Sequence, residues 1–187
     1  MNAPTAFKAP VFTLPQDELL TLNVNDVPVM KNALGAGIHF QPLLADPEAG
    51  VSAVIGIFAP GIVVDSHLHT GAVHGYTLKG SWFYEEYPDQ LQTAGSYLYE
   101  PSSSMHTFCV PETNTEDTVV FFIVFGGNVH FDKEGKFVSI LDAITIQNLV
   151  ASCAAAQGLD AVQYLKGGSA RYAVEKATEA ARVSESA

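Results

Sequence analysis

Cations are scarce in this chain. Its 187 residues carry nine Lys and Arg against twenty Asp and Glu, a net charge of -11. Between residues 32 and 132 the single cation is Lys79. Nucleic acid and anionic membrane both need clustered Lys or Arg, so neither is expected as a partner. Sites for carboxylates or phosphates usually supply an Arg fork or a Lys. The middle of this chain barely offers one. It is expected to bind a neutral substrate, or one that ionises only at a metal.

Cysteine is scarce too, with Cys109 and Cys153 alone. The N-terminal Met-Asn-Ala-Pro-Thr-Ala-Phe-Lys lacks the apolar stretch of a signal peptide. The longest apolar run, 119–125, is far too short to span a bilayer. A cytoplasmic protein with reduced thiols is expected. Strand alternation from His106 would point Cys109 the other way, so it reads as a small core residue.

What is present suffices for one domain of ordinary size. The chain is 48% hydrophobic with 11 Phe and 7 Tyr, enough for a real core. Residues 1–16 hold three prolines and little periodicity, and read as an N-terminal arm. Residues 17–141 show short apolar runs broken by Gly, Pro, Asn and Asp. Strands are predicted at 38–44, 51–59, 62–69, 73–79, 81–87, 96–100, 106–110, 118–125, 128–132 and 137–141. That pattern predicts an all-β sandwich or barrel. Residues 142–187 change period. Asp142 is a candidate N-cap for a helix over 143–157, which Gly158 would end. Ser169 could cap a last helix over 170–183.

The chemistry concentrates around His67 and His69. Residues i and i+2 of a strand share a face, so the two imidazoles stand side by side. Imidazole is the commonest ligand for first-row transition metals. His106, from another strand, would complete a set of three: His67, His69 and His106 are the candidate metal ligands. Trp82, Tyr84 and Glu86 share one face if a single strand carries them, either the pocket wall or the outside. Together with Phe108 they are the candidate substrate-binding residues. Tyr97, Tyr99 and Phe122 read as core or as bounds of an aromatic site. His39 and His130 lie in predicted strands outside any motif and read as surface or structural.

Gly61, His67, His69 and Gly80 resemble the first sequence motif of the cupin superfamily, and Gly95, Pro101 and His106 the second. There are three departures. His74 stands where the family usually has a glutamate ligand, Ser103 replaces a glycine, and Val110 replaces an asparagine. The runs 67–74, 86–90 and 95–101 look like the 2,4'-dihydroxyacetophenone dioxygenases and, more distantly, the acetylacetone dioxygenases. The resemblance covers roughly residues 15–145.

The resemblance implies a cupin jelly-roll barrel with C-terminal helices, forming a homodimer or homotetramer. It implies Fe(II) on three histidines, with Zn, Mn or Ni as alternatives. The implied substrates are O2 and a small neutral aromatic ketone, split beside its carbonyl into 4-hydroxybenzoate and formate. Glu100 and His74 are then the candidate catalytic residues. The acetylacetone dioxygenases carry a glutamate at the offset of Glu100 from His106. For His74 three roles stay open: fourth ligand, hydrogen-bond partner of the site, or barrel lining. A β-diketone-cleaving dioxygenase, a metal-dependent isomerase or decarboxylase, and a zinc-binding sensor module are the rival readings.

Overall fold

The computed structural model describes residues 20–168. The N-terminal arm 1–16 and the helix expected at 170–183 lie outside them. In chain order the strands are β1 (Ile38–Asp46), β2 (Val51–Phe58), β3 (His67–His69), β4 (Val73–Lys79), β5 (Ser81–Tyr84), β6 (Tyr87–Thr93), β7 (Tyr97–Glu100), β8 (Met105–His106), β9 (Phe108–Cys109), β10 (Thr118–Phe125), β11 (Asn128–Phe131) and β12 (Phe137–Leu141). Helix α1 (Ala143–Gln157) and β13 (Leu165–Lys166) follow.

One wall is a six-stranded sheet in the order β13-β1-β2-β10-β4-β7. The other wall combines a four-stranded sheet, β12-β11-β3-β8, with a three-stranded one, β6-β5-β9. This is the expected all-β jelly roll, whose two walls face each other across a cavity. Alternation decides what points inward. Along β10, Thr118, Val120 and Val124 are buried, while Phe125 at the end of the other face is exposed. Phe122 turns its ring toward the cavity over Gly75, where a Cβ would stand 3.2 Å from the ring. Glycine at that cross-strand position leaves room for the ring.

Two apolar clusters close the barrel. Phe58, Trp82, Tyr84, Phe108, Val110 and Val120 pack at one end. At the other, Ala143, Ile146 and Val150 of α1 cover Met30, Phe40 and Ala45. The helix begins and ends where its cap residues dictate. Asp142 Oδ1 accepts the Thr145 N–H at 2.8 Å, and Gly158 takes a left-handed φ of 65°.

The predicted strands at 62–69 and 81–87 need correction. Only His67–His69 of the first is strand, although two backbone bonds still join 62–64 to 108–110 (Val64 N–H to Phe108 O, Val110 N–H to Ile62 O). The second breaks at Glu85-Glu86, which turn the chain into β6. The short β13, which the sequence pattern does not predict, runs parallel to β1.

Candidate metal centre

Register brings the three histidines together. His67 of β3 pairs with His106 of β8, and His69 shares the face of His67 two residues on. All three are buried, at 6%, 3% and 3% exposure for His67, His69 and His106. Their ring centroids form a triangle with every side 4.9 Å. One nitrogen from each lies within 4.8 Å of the others. Ser103, where the family motif has glycine, adopts a left-handed φ of 67° in the turn before β8.

The donor atoms fit a cation. His69 Nε2 and His106 Nε2 are 3.0 Å apart. Two ligands about 2.1 Å from one metal and at right angles to each other would lie about 3.0 Å apart. His67 Nδ1 lies 3.0 Å from the Asp65 carbonyl. Donating there, it keeps the proton and leaves Nε2 as the ligand atom. Burial, helped by the neighbouring imidazoles, pulls the His67 pKa down to about 3 against the opposite pull of that carbonyl. The ring is therefore neutral, the form that binds metal.

Glu100 joins the triangle. It is 4% exposed and in register with Val73. Its Oε2 lies 2.8 Å from His69 Nε2 and 3.3 Å from His106 Nε2. Its Oε1 accepts a short hydrogen bond from the Tyr84 hydroxyl. Burial alone would raise this carboxyl. The contacts with His106 and His69, then Tyr84, outweigh it and hold the pKa down to about 2. Conversely, burial and the Glu100 charge push the Tyr84 phenol well above its usual value. Tyr84 thus keeps its proton and Glu100 its charge. The Tyr84 ring also stacks on His106, with centroids 3.9 Å apart.

His74 is corrected. Val73, not His74, takes the inward position on β4 and lines the cavity. His74 points out from the opposite face. There its Nδ1 lies 2.7 Å from the Tyr97 hydroxyl, among Tyr76, Tyr99 and Phe125. Val73 stands four residues after His69 and keeps its inward parity, so alternation itself puts His74 outward, and the motif position alone points to it.

Two of the substrate-binding expectations are also corrected. Trp82 is fully buried in the core and donates Nε1–H to Thr77 Oγ1 at 2.9 Å, away from the cavity. Glu86 sits in the turn after β5, where its carboxylate accepts the Thr107 N–H at 3.0 Å. Tyr84 and Phe108 do line the cavity. Cys109 is buried and outside the cavity wall, its thiol pushed up by burial and by Glu85 and Glu86.

The cavity measures about 510 Å³, a size that suits a small organic ligand. Phe40, Val54, Phe108, Phe122, Leu141 and Ile146 give it an apolar wall. No Lys or Arg lines it among the described residues. Lys79 is half-exposed and pairs with Glu116 at 2.6 Å. His130, read as surface or structural, and Asn128, which no motif marks, also line it. His130 pairs with His67 across the ladder and stacks on it at 5.1 Å, and Asn128 pairs with His69. Both stood in a predicted strand, but the pairing of β11 with β3 joins distant segments and leaves no local signal. His39, read as surface or structural, accepts the Asn32 N–H at 2.8 Å and borders the same cavity.

The family model for the ChrR cupin-like domain matches residues 18–129. The chain belongs to this cupin family. The cupin shares 38% identity with a protein of unknown function and cupin-like fold from Ralstonia eutropha JMP134, over 87% of this chain and 100% of that one, with a TM-score of 0.80. An RmlC-like cupin from the same organism is 27% identical over 80% of this chain and 94% of that one, with a TM-score of 0.73. An acetylacetone dioxygenase from Acinetobacter johnsonii shares the fold at 18% identity over 76% of this chain and 97% of that one, with a TM-score of 0.59. No curated protein matches the cupin in sequence. No helix among its described residues is long and apolar enough to cross a membrane.

Proposed function

We propose that this cupin is a non-haem Fe(II) dioxygenase that cleaves the C–C bond beside the carbonyl of an aromatic α-hydroxyketone. One observation carries the reading: a triangle of buried imidazoles, with Glu100 against it, opens on an apolar cavity without a cation. His67, His69 and His106 would hold the ion. When bound, ferrous iron supplies Lewis acidity toward the substrate oxygens and electrons toward O2. Three neutral ligands leave that site able to hold an anionic chelate, which removes the need for an Arg.

The chain's own residues do the rest. The Glu100 carboxylate takes the proton of the substrate hydroxyl at Oε2. Tyr84 holds Oε1 and keeps the carboxylate aimed. Phe108 and Phe122 flank the aryl group and exclude water. A 2,4'-dihydroxyacetophenone plus O2 balances to 4-hydroxybenzoate, formate and two protons, one oxygen atom entering each acid. A β-diketone, bound as its enolate, is the alternative substrate.

Anaerobic iron loading followed by an oxygen-electrode screen tests the reading. O2 uptake matched mole for mole by hydroxybenzoate is the expected result. Turnover of 2-oxoglutarate with release of succinate would refute the neutral-substrate assignment. The family match supports a second reading, a metal-holding sensor module without turnover. Zinc as isolated and no O2 uptake with any ketone would favour it. Carbonyl isomerisation or decarboxylation without O2 would point instead to Glu100 working as a proton shuttle alone.

We also read the chain as a cytoplasmic homodimer or homotetramer. Tyr76, Tyr97, Tyr99 and Phe125 leave an uncharged aromatic patch exposed on the outer sheet face, which supports self-association. Light scattering that returns a monomer mass at micromolar concentration would count against it.

A further inference from the structure

A metal-bound imidazole has a second nitrogen, and its N–H almost always meets an acceptor. His67 meets the Asp65 carbonyl. His69 differs: its Nδ1 is buried without a hydrogen-bond partner. A buried donor left in that state is costly, so a partner is to be sought nearby.

The adjoining strand carries one. Asn128 of β11 stands opposite His69 in the ladder. Residues directly opposite project from the same face of the sheet, with Cβ atoms about 4.5–5.5 Å apart. The Oδ1 of Asn128 is itself buried and unpartnered, and its side chain lines the same cavity as His69. A donor and an acceptor, each without a partner, thus occupy opposed positions. The other two groups in this condition are Glu100 Oε2, which faces the imidazole triangle, and Ser104 Oγ.

We propose that Asn128 is a positioning residue of the metal centre, its Oδ1 accepting the His69 Nδ1–H through one bridging water. Neither atom has a direct hydrogen-bond partner, and a single water can join two polar groups that do not meet directly. The bridge fixes His69 as the tautomer whose Nε2 lone pair is free for the ion. It gives His69 the anchoring that Asp65 gives His67. The amide oxygen is the end required, because a ligand bound through Nε2 carries its proton on Nδ1.

This inference rests on the metal-holding part of the function proposed above and not on its oxygen chemistry. Its test is therefore metal affinity, measured by competition of Zn(II) or Co(II) against a chelator. Asn128→Leu keeps the size and removes the acceptor. It is expected to weaken binding about 10–100-fold and to alter the Co(II) absorption spectrum, with the melting of the metal-free protein unchanged. Asn128→Asp keeps an acceptor and should bind as tightly as wild type or tighter. Asn128→Ala replaces the Leu variant if that one does not fold, with the same outcomes expected. Wild-type affinity and spectrum in the acceptor-free variant would overturn the proposal, as would an equal loss in Asn128→Asp. A wild-type chain that takes up no metal would overturn the centre itself. Failure of the O2 screen would leave this result untouched.

Discussion

Tyr84 touches the centre twice: its hydroxyl donates to Glu100 and its ring stacks on His106. One side chain from β5 thereby holds both a candidate metal ligand and the carboxylate beside it. The core cluster around Trp82 and Phe108 fixes Tyr84 in turn, with edge contacts at 5.1 and 6.5 Å. Packing at the closed end of the barrel is thus linked to the chemistry at its centre.

Tyr84→Phe should separate these two contacts. The ring stays on His106 and the hydrogen bond is lost. Leaving a buried carboxylate oxygen short of its donor should cost roughly 1–3 kcal/mol of stability. Iron content should hold while turnover falls. Denaturant melts beside metal analysis check this, and unchanged turnover would make Tyr84 a packing residue only.

His74 and His106 should behave in opposite ways. His106→Ala removes one corner of the triangle and should lose most of the iron. His74→Ala touches only the outer face, so metal content and turnover should match wild type. An iron-free His74→Ala variant would restore His74 to the site.

How much of this the sequence reveals depends on whether contacts are local. His67 and His69 are legible because alternation within one strand needs no further information. Asp142 and Gly158 are legible for a similar reason, since caps act on their own backbone. His74 misleads because the motif position outweighs the alternation from His69 that already sends it outward, and Glu86 because a turn after Tyr84 ends the strand expected to carry it. His130 and Asn128 escape because only the pairing of β11 with β3 puts them there. The cavity follows from both walls at once and has no linear signature, although the dearth of Lys and Arg predicts that neither lines it among the described residues.

The metal-free protein should lose stability in acid. The unfolded value for His67 is 6.5 and the folded value about 3. As pH falls through 6.5 toward 3, the unfolded chain binds a proton that folded His67 does not. The stability lost is on the order of a few kcal/mol. Glu100, also depressed in the folded state, adds its loss as pH falls from 4.5 toward 2. Urea melts at pH ~7 and ~4.5 measure the effect, and a flat profile would contradict a neutral buried His67. Metal should also leave in this direction, because protons compete for the same nitrogens.

Glu100→Gln is the most informative single change. Glu100 Oε2 stands close enough to two ligand nitrogens to act on substrate or to bind the ion itself. Gln keeps the shape and can still meet the Tyr84 hydroxyl, but it cannot take a proton. If Glu100 is the base, the variant retains iron on the three histidines and loses turnover by ~10²–10⁴. The loss should lie in kcat, with the apparent affinity for ketone little changed, because the apolar wall that binds the aryl group is untouched. Wild-type turnover would make Glu100 a bystander. Loss of the iron would make it a fourth ligand, reached from β7 in register with Val73 rather than from β4.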